Sequence, residues 1–203
     1  GVVAMPQLPP PPAVAHTPGT WRVLYFDAPN RGEQVRMLLV LAGAPFVDLR
    51  LRYPEGLEPY KKAAMGDASP LLGTDKCPAV TAPDGTHCVE TADIMRLVGR
   101  QAGLAPPPDS PADAKAMELT LLAQRTMDEV FYALLKPMVV REILGLAACL
   151  LVGRESSYLA QPAAHLTEAL SSVEAALDAS GGPYVCGGEL SYADVSLHAV
   201  LRE

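Results

Sequence analysis

The pattern of apolar and polar positions in residues 21–51 predicts a strand, a helix and a second strand. Residues 23–26 form a short apolar run that is typical of a strand. Residues 35–42 place apolar side chains at helical spacing, with Glu33 in the first turn and Gly43 just past the end. Residues 46–51 alternate apolar and polar side chains, and we expect this strand to be parallel to the first because a helix joins them.

The next fifty residues predict a hairpin and a helix. Residues 57–64 favour a short helix and residues 66–75 a loop. Two short apolar runs, 79–81 and 87–89, flank a Pro-Asp-Gly-Thr turn, which indicates a β-hairpin. Thr91 is expected to cap a helix that extends to residue 101. The order βαβ followed by ββα predicts an α/β thioredoxin-like domain over residues 21–102.

The second half of the chain is predicted to be an all-helical domain, residues 112–203. A Pro-rich segment, 103–111, separates it from the first domain as a linker. Helical periodicity covers residues 112–135, parts of 138–152 and 163–179, and a Gly-Gly-Pro break precedes the last helix. Ser191 and Asp194 form a capping-box-like pair at the start of that helix, so Asp194 needs no catalytic role. Residues 1–20 are a Pro-rich extension to which we assign no function.

Composition and charge narrow the class of protein. Hydrophobic residues make up 49 % of the chain and charged ones 19 %, which excludes disorder throughout. The net charge of −7 argues against nucleic acid or an anionic membrane as the main partner. The most apolar segment, 143–152, is about ten residues long, short of the ~20 that span a bilayer. The four cysteines show no CxxC spacing, which favours free thiols in a reducing compartment, the cytoplasm.

The end of the first predicted strand carries the first candidate for chemistry. Tyr25 lies there, shortly before the N-terminus of the predicted helix that begins near Arg31. A phenol hydroxyl donates hydrogen bonds, and a helix N-terminus carries a partial positive charge. Together they form a place that can hold an anion. A core strand tyrosine whose hydroxyl is tied to the backbone is the alternative.

Three segments resemble the cytosolic glutathione transferases of the tyrosine type. The first runs from Tyr25-Phe26 through a four-residue loop to Arg31-x-Glu33 and an apolar helix. The second is GTDKCPAVTAPDGTHCVETADIMRLVG, and the third is YVCGGELSYADVSLHAVL. They occur in the family's order and cover about residues 21–203. The sigma-like class, which includes the glutathione-dependent prostaglandin D synthases, is the most similar.

The resemblance implies that glutathione is the co-substrate and that Tyr25 activates its thiol. A free thiol with a pKa of ~8.5 is only a few per cent thiolate at neutral pH. One charge-assisted hydrogen bond from Tyr25, worth about 1.5–3 kcal/mol, would lower that pKa by about one to two units. Tyr25 would stay neutral and form no covalent bond. No Ser or Cys lies between Arg22 and Glu33 to take this role instead.

The resemblance also implies how the peptide part of glutathione is held. Pro78 should be preceded by a cis bond, and the backbone of Cys77 should pair with the cysteinyl unit of glutathione as an added strand does. The Cys77 thiol would be an ordinary small apolar group, with a redox nucleophile as the alternative. Lys76 and Lys61 could meet the glycyl carboxylate.

The other end of the tripeptide would meet Glu90 and Thr91. Thr91 could bind the γ-glutamyl carboxylate at the start of its helix, while Glu90 accepts from the ammonium. The alternative is a simple helix cap with a solvated neighbour.

A homodimer is the assembly that the resemblance implies. Asp128 would reach the glutathione of the partner subunit from the long helix after the linker, although a solvated helix face also fits this residue. Some sigma-like members bind a divalent ion near here through three carboxylates. Arg125 takes one of those positions in this chain, so we predict no metal site.

The predicted function is conjugation of the glutathione thiolate to a small electrophile. Alternatives are a glutathione-dependent isomerase or peroxidase, and a non-catalytic relative with a binding or structural role. The electrophile pocket would include the region of Phe131 and Tyr132. The last helix is apolar nearly all round and the family continues with more helices, so we also expect a C-terminally incomplete domain that exposes an apolar patch.

Overall fold

A computed structural model describes residues 17–51, 76–144 and 157–202, with the side chains of 130–144, 157–163 and 202 left out. The predicted helix 57–64, the loop 66–75 and most of the Pro-rich extension lie outside these residues. The chain divides into two compact units, Gly1–Ile94 and Met95–Glu203.

The first unit is built on a four-stranded sheet with the order β2-β1-β3-β4. Its elements are β1 (Trp21–Phe26), helix α1 (Arg31–Leu41), β2 (Phe46–Leu51), β3 (Ala79–Thr81) and β4 (His87–Val89). The pairing of β1 with β2 is parallel, and β3 is antiparallel to both β1 and β4. The predicted strands, the hairpin and the parallel crossover are therefore confirmed, and β1 begins two residues earlier than the apolar run.

The two faces of this sheet are covered differently. Because successive strand residues point to opposite faces, Leu24 and Tyr25 lie on different sides of β1. Leu24 packs with Leu51 and Ala79 in a buried cluster. Tyr25 lies on the side of α1, where an added Cβ on Gly32 would come within 2.3 Å of its ring. The aromatic ring of Tyr25 is thus held between strand and helix.

The second unit is helical in the residues described. It contains the C-terminal part of α2 (Thr91–Ala102), followed by α3 (Pro111–Leu144), α4 (Ser157–Ser180) and α5 (Tyr192–Arg202). The division falls inside α2, and the domain boundary predicted in the linker 103–111 stays a prediction. Side chains of the second half of α2 contact other residues of the second unit. Gly99 contacts the Tyr192 ring, and Arg96 and Arg100 pair with Asp113.

Two helices are longer than their sequence pattern predicted. Helix α3 is continuous to Leu144, so the expected separation between residues 135 and 138 is wrong. Pro137 has no N–H to donate, so the helix lacks one hydrogen bond at this position. The hydrogen bonds on either side remain possible. Helix α4 begins at Ser157, six residues before the predicted start, and contains Pro162 in its first turns.

The capping-box-like pair of Ser191 and Asp194 predicted at the last helix is present. The Ser191 N–H and hydroxyl both donate to Asp194 Oδ2, at 2.9 and 2.7 Å. The Asp194 N–H donates back to the Ser191 carbonyl at 3.1 Å. The other carboxylate oxygen, Oδ1, accepts from the Val185 N–H at 2.9 Å and so ties the preceding loop to the helix. Asp194 has a structural function.

Helix α5 is mostly buried among the other helices of its unit. Val195, Leu197 and Ala199 are at most 8 % exposed, whereas Leu201 is 59 % exposed. Leu201 lies at an apolar groove between α3, α4 and α5 that Leu122 and Leu170 also line. Among the helices described, none combines the length and the apolar character that crossing a bilayer requires.

Candidate functional site

Three predicted site residues lie in a row across the sheet, just beyond the last residue pairs that join β1 to β3 and β3 to β4. The last pair of β1 and β3 joins Leu24 to Ala79, and the last pair of β3 and β4 joins Ala79 to Val89. Continuing the same register by one residue aligns Tyr25, Pro78 and Glu90. The sheet therefore brings together the end of β1, the approach to β3 and the start of α2.

Tyr25 is fixed by contacts on several sides of its ring. The residue is 8 % exposed, and the Phe26 ring meets it edge-on at 5.5 Å between centroids. The Arg36 guanidinium lies 6.0 Å from the ring centroid, within the range of a cation–π contact. Gly32 touches the ring with its backbone, so a larger residue at position 32 would have to displace it.

The N-terminus of α1 is capped by Asn30, which was not predicted from the sequence as a cap. Asn30 accepts from the Arg31 N–H through its side chain at 2.6 Å, and from the Glu33 N–H through its carbonyl at 3.0 Å. Its φ of 78° lies in the left-handed region that favours glycine. Asn directly before an Arg-Gly-Glu helix start is the signal that could have identified it, since Asn is a preferred N-cap.

The bond between Cys77 and Pro78 is cis, as expected from the resemblance. Burial raises the pKa of the Cys77 thiol to about 11, although the charge of Arg31 acts in the opposite direction. A thiol with that pKa is protonated at neutral pH, which disfavours Cys77 as a redox nucleophile.

The start of α2 differs from the expectation that Thr91 caps it. The Ile94 N–H donates to the Glu90 carbonyl at 2.9 Å, so Glu90 is the cap residue and Thr91 is the first residue of the helix. Glu90 has a φ of 67°, in the left-handed region. Thr91 is 2 % exposed, and its hydroxyl has no hydrogen-bond partner. A buried hydroxyl without a partner is uncommon and costly, and here it lies at a helix N-terminus.

Lys76 and Glu90 form an ion pair between Nζ and Oε1. Their side chains are 60 % and 53 % exposed, so solvent screens the pair. The resemblance implies that these two residues contact opposite ends of the ligand, whereas in the structure they lie side by side.

The remaining predicted residues are not part of this row. Lys61 lies outside the described residues, as do the side chains of Phe131 and Tyr132. Asp128 belongs to α3 in the second unit and is half-buried, and Oε2 of its neighbour Glu129 lies 3.3 Å from His165 Nδ1. Within the parts of the chain that the structure describes, no three His, Cys, Asp or Glu residues lie close enough to share a metal ion.

Solved glutathione transferases share this architecture. A glutathione S-transferase from Caenorhabditis elegans superposes with a TM-score of 0.67 at 18 % identity, covering 90 % of this chain and 80 % of the other. One from Ascaris lumbricoides gives 0.62 at 24 % identity, with the same coverage. A prostaglandin synthase D of Nilaparvata lugens gives 0.58 at 19 % identity, again over 90 % and 80 %.

At these identities the similarity establishes the fold and no more. The chain has the glutathione transferase fold, a thioredoxin-like domain followed by a helical domain. No protein-family model matches the sequence, and no curated protein does.

Proposed function

We propose that this chain is a glutathione transferase of the tyrosine type, sigma-like in class, which conjugates glutathione to small electrophiles. The observation that carries the proposal is the buried Thr91 hydroxyl without a partner, next in the chain to Glu90, which aligns with Tyr25 and Pro78 in the sheet register. A ligand carboxylate at the start of α2 would supply the missing acceptor and would also meet the helix dipole. An anionic peptide-like ligand such as glutathione has this group.

In the proposed mechanism Tyr25 donates a hydrogen bond to the thiolate of bound glutathione and stays neutral. The thiol proton leaves to solvent, the sulfur forms a bond to the electrophilic carbon, and the leaving group departs with its electron pair. Arg31 and the N-terminus of α1 add positive potential on the same side. The protein acts by stabilising the nucleophile before the reaction.

Each end of glutathione has proposed partners. Thr91 binds the γ-glutamyl carboxylate and Glu90 accepts from its ammonium, while the Cys77 backbone pairs with the cysteinyl unit. Lys76 and Lys61 serve the glycyl carboxylate, and for Lys76 this requires its side chain to leave Glu90. Because that exposed pair is worth only about 0–1 kcal/mol, the exchange costs little.

The assembly and location follow from the same proposal. Asp128 would reach the glutathione of a partner subunit in a homodimer. Cys77, Cys88 and Cys186 are free thiols, which supports the cytoplasm as the compartment. We propose no metal in this chemistry.

The test is conjugation of glutathione to an activated aryl chloride by the wild type, Tyr25→Phe and the control Tyr184→Phe. Loss of the hydrogen bond, about 1.5–3 kcal/mol, should lower kcat roughly 10- to 100-fold in Tyr25→Phe. The control should match the wild type. Affinity for an S-alkyl glutathione, measured by calorimetry, should be the same in all three proteins. Full activity in Tyr25→Phe would remove Tyr25 as the thiol activator.

A glutathione-dependent isomerase is the second candidate, because one structural neighbour is a prostaglandin synthase. The isomerase would be favoured if the protein converts an endoperoxide, regenerates the glutathione and conjugates no electrophile. Binding of S-alkyl glutathione without any turnover would instead favour a non-catalytic protein.

A further inference from the structure

A buried arginine lies beneath the turn that joins β1 to α1. The Arg36 side chain is only 6 % exposed, although it belongs to a residue type that is usually on the surface. No step of the proposed chemistry uses its charge. Its hydrogen bonds therefore need an explanation of their own.

The guanidinium binds the turn on both sides of Asp27. Nη2 donates to the Phe26 carbonyl at 3.1 Å, and Nη1 donates to the Ala28 carbonyl at 3.2 Å. Two backbone carbonyls held by one rigid planar group cannot move independently of each other. The turn is thereby fixed at two points between Tyr25 and the start of α1.

The same guanidinium is anchored to the neighbouring strand. Its Nε lies 3.1 Å from each carboxylate oxygen of Asp48 in β2. Asp48 is itself part of the sheet through its register partner Val23 in β1. Arg36 therefore connects the turn to the sheet through charge-assisted hydrogen bonds, which are stronger than neutral ones.

The position of the turn is transmitted to the Tyr25 ring by direct contact. Gly32, in the first turn of α1, lies so close to the ring that an added Cβ would be 2.3 Å from Cδ1. The Arg36 guanidinium is 6.0 Å from the ring centroid. A shift of the turn would move Gly32 and with it the ring.

We propose that Arg36 is a positioning residue: it holds the β1–α1 turn so that the Tyr25 hydroxyl stays in hydrogen-bonding range of the bound thiolate. This inference rests on the proposed transferase function. Asp48 is the anchor through which Arg36 acts.

An outer ion pair near the same turn provides a matched control. Arg50 donates to Asp48 at 2.7 Å and to Asp27 at 2.8 Å, but its side chain is 50 % exposed and that of Asp27 is 60 % exposed. Solvent screens this pair, and it contacts no backbone carbonyl of the turn in the bonds described. Arg50→Gln removes one positive charge near the turn and leaves Arg36 in place.

The experiment compares the wild type with Arg36→Lys, Asp48→Asn and Arg50→Gln. The thiolate absorbance of bound glutathione is measured against pH and gives the pKa of the thiol. The kcat is measured over the same pH range. Amide hydrogen exchange of residues 27–33 reports on the turn. Lys keeps the charge but loses the planar fork. Arg36→Lys should raise the bound-thiol pKa by about one unit, which lowers turnover about tenfold at neutral pH and less at higher pH. Exchange in the turn should be faster in Arg36→Lys and unchanged in Arg50→Gln.

The outcomes separate this inference from the proposed function. Asp48→Asn leaves Arg36 and its bonds to the turn intact, so it should raise the thiol pKa and speed the exchange by smaller amounts. If Arg36→Lys does not fold, Asp48→Asn tests the positioning role in its place. Faster exchange with an unchanged thiol pKa in an active enzyme would overturn the positioning role. Unchanged exchange in Arg36→Lys would show that Arg36 does not hold the turn, whatever the activity. If the wild type forms no thiolate but exchange is faster in Arg36→Lys, the proposed function is wrong, whereas the role of Arg36 in holding the turn is supported.

Discussion

The starts of helices α2 and α5 combine the same kinds of side chain, a hydroxyl and a carboxylate, and connect them differently. At α5, Asp194 accepts from the Ser191 N–H, the Ser191 hydroxyl and the Val185 N–H. At α2, the Glu90 carboxylate pairs with Lys76 instead, and the Thr91 hydroxyl is buried with no partner. At α5 the hydroxyl and the carboxylate of the motif bond each other, whereas at α2 the hydroxyl of Thr91 has no partner.

This difference separates a structural helix start from a candidate binding site. The first N–H groups of any helix need partners from outside the helix. When side chains of the same motif supply them, nothing remains for a ligand. When a buried hydroxyl has no partner, its desolvation is a cost that a bound carboxylate could offset. The comparison therefore favours a binding function for Thr91 and a stabilising one for Asp194.

The largest expected effect is the loss of stability in Asp194→Ala. The change removes three hydrogen bonds to a carboxylate and leaves the Ser191 and Val185 N–H groups without acceptors. We expect the free energy of unfolding to fall by about 3 kcal/mol, measured by urea denaturation. Glu189→Gln is the control, since Glu189 is exposed in the same loop, and should change it by less than about 0.5 kcal/mol. A loss below about 1 kcal/mol in Asp194→Ala would contradict the structural assignment.

The second expected effect is weaker ligand binding in Thr91→Val, a change that keeps the shape and removes the hydroxyl. Affinity for an S-alkyl glutathione should fall roughly 10- to 100-fold, as a hydrogen bond to a carboxylate is worth about 1.5–3 kcal/mol. Stability should be unchanged or higher, because the hydroxyl has no partner within the protein. Ser191→Ala should show the opposite result, lower stability and unchanged affinity. Calorimetry measures the affinity and denaturation the stability of the two variants. If Thr91→Val binds the ligand as tightly as the wild type does, Thr91 does not bind the γ-glutamyl carboxylate.

The sequence predicted the sheet of the first unit well because its signals are local. The strands 46–51, 79–81 and 87–89 match β2, β3 and β4 at both ends, since alternation and the Pro-Asp-Gly-Thr turn act within a few residues. The capping box at Ser191 and Asp194 is also local, spanning three residues. The alignment of Tyr25, Pro78 and Glu90 comes from the strand register of the structure.

The features that the sequence did not predict depend on distant partners or on competing effects. Arg36 holds carbonyls of the preceding turn and pairs with Asp48, twelve residues further along the chain, and helical spacing contains no sign of either. The Tyr192 ring packs against Gly99, which lies in a distant part of the sequence. Helix α3 continues past Pro137 although a proline disfavours it locally. The sequence also did not predict that Glu90 caps α2 through its backbone carbonyl, or that the Thr91 hydroxyl is left without a partner.

A third prediction concerns a second buried hydroxyl without a partner, that of Tyr192. Tyr192 is the first residue of α5, but its ring is fully buried against Gly99 and its hydroxyl has no partner. Tyr192→Phe should leave ligand affinity unchanged and make the protein more stable by up to about 1 kcal/mol at neutral pH. A clear loss of stability would reveal a partner for this hydroxyl.

The pH dependence of Tyr192 provides a second measurement. Burial raises the pKa of Tyr192 to about 12, from the ordinary value near 10. The unfolded chain therefore releases this proton at lower pH than the folded protein, so stability is lost as pH rises from about 10 towards 12. Tyr192→Phe should lack this part of the alkaline decline. Equal declines in the two proteins would show that the folded-state pKa is not raised.

The smallest expected effect concerns the ion pair at the start of α2. Lys76 and Glu90 are both more than half exposed, so Lys76→Gln should change the free energy of unfolding by less than about 0.5 kcal/mol. Its effect on binding decides which end of the ligand Lys76 serves. If Lys76 meets the glycyl carboxylate, Lys76→Gln should weaken glutathione but not an analogue with an amidated glycyl end. If it only pairs with Glu90, its removal frees Glu90 for the ligand ammonium, and both ligands should bind slightly more tightly. Titration of the two ligands at low salt separates these results, because screening reduces the contribution of exposed charges.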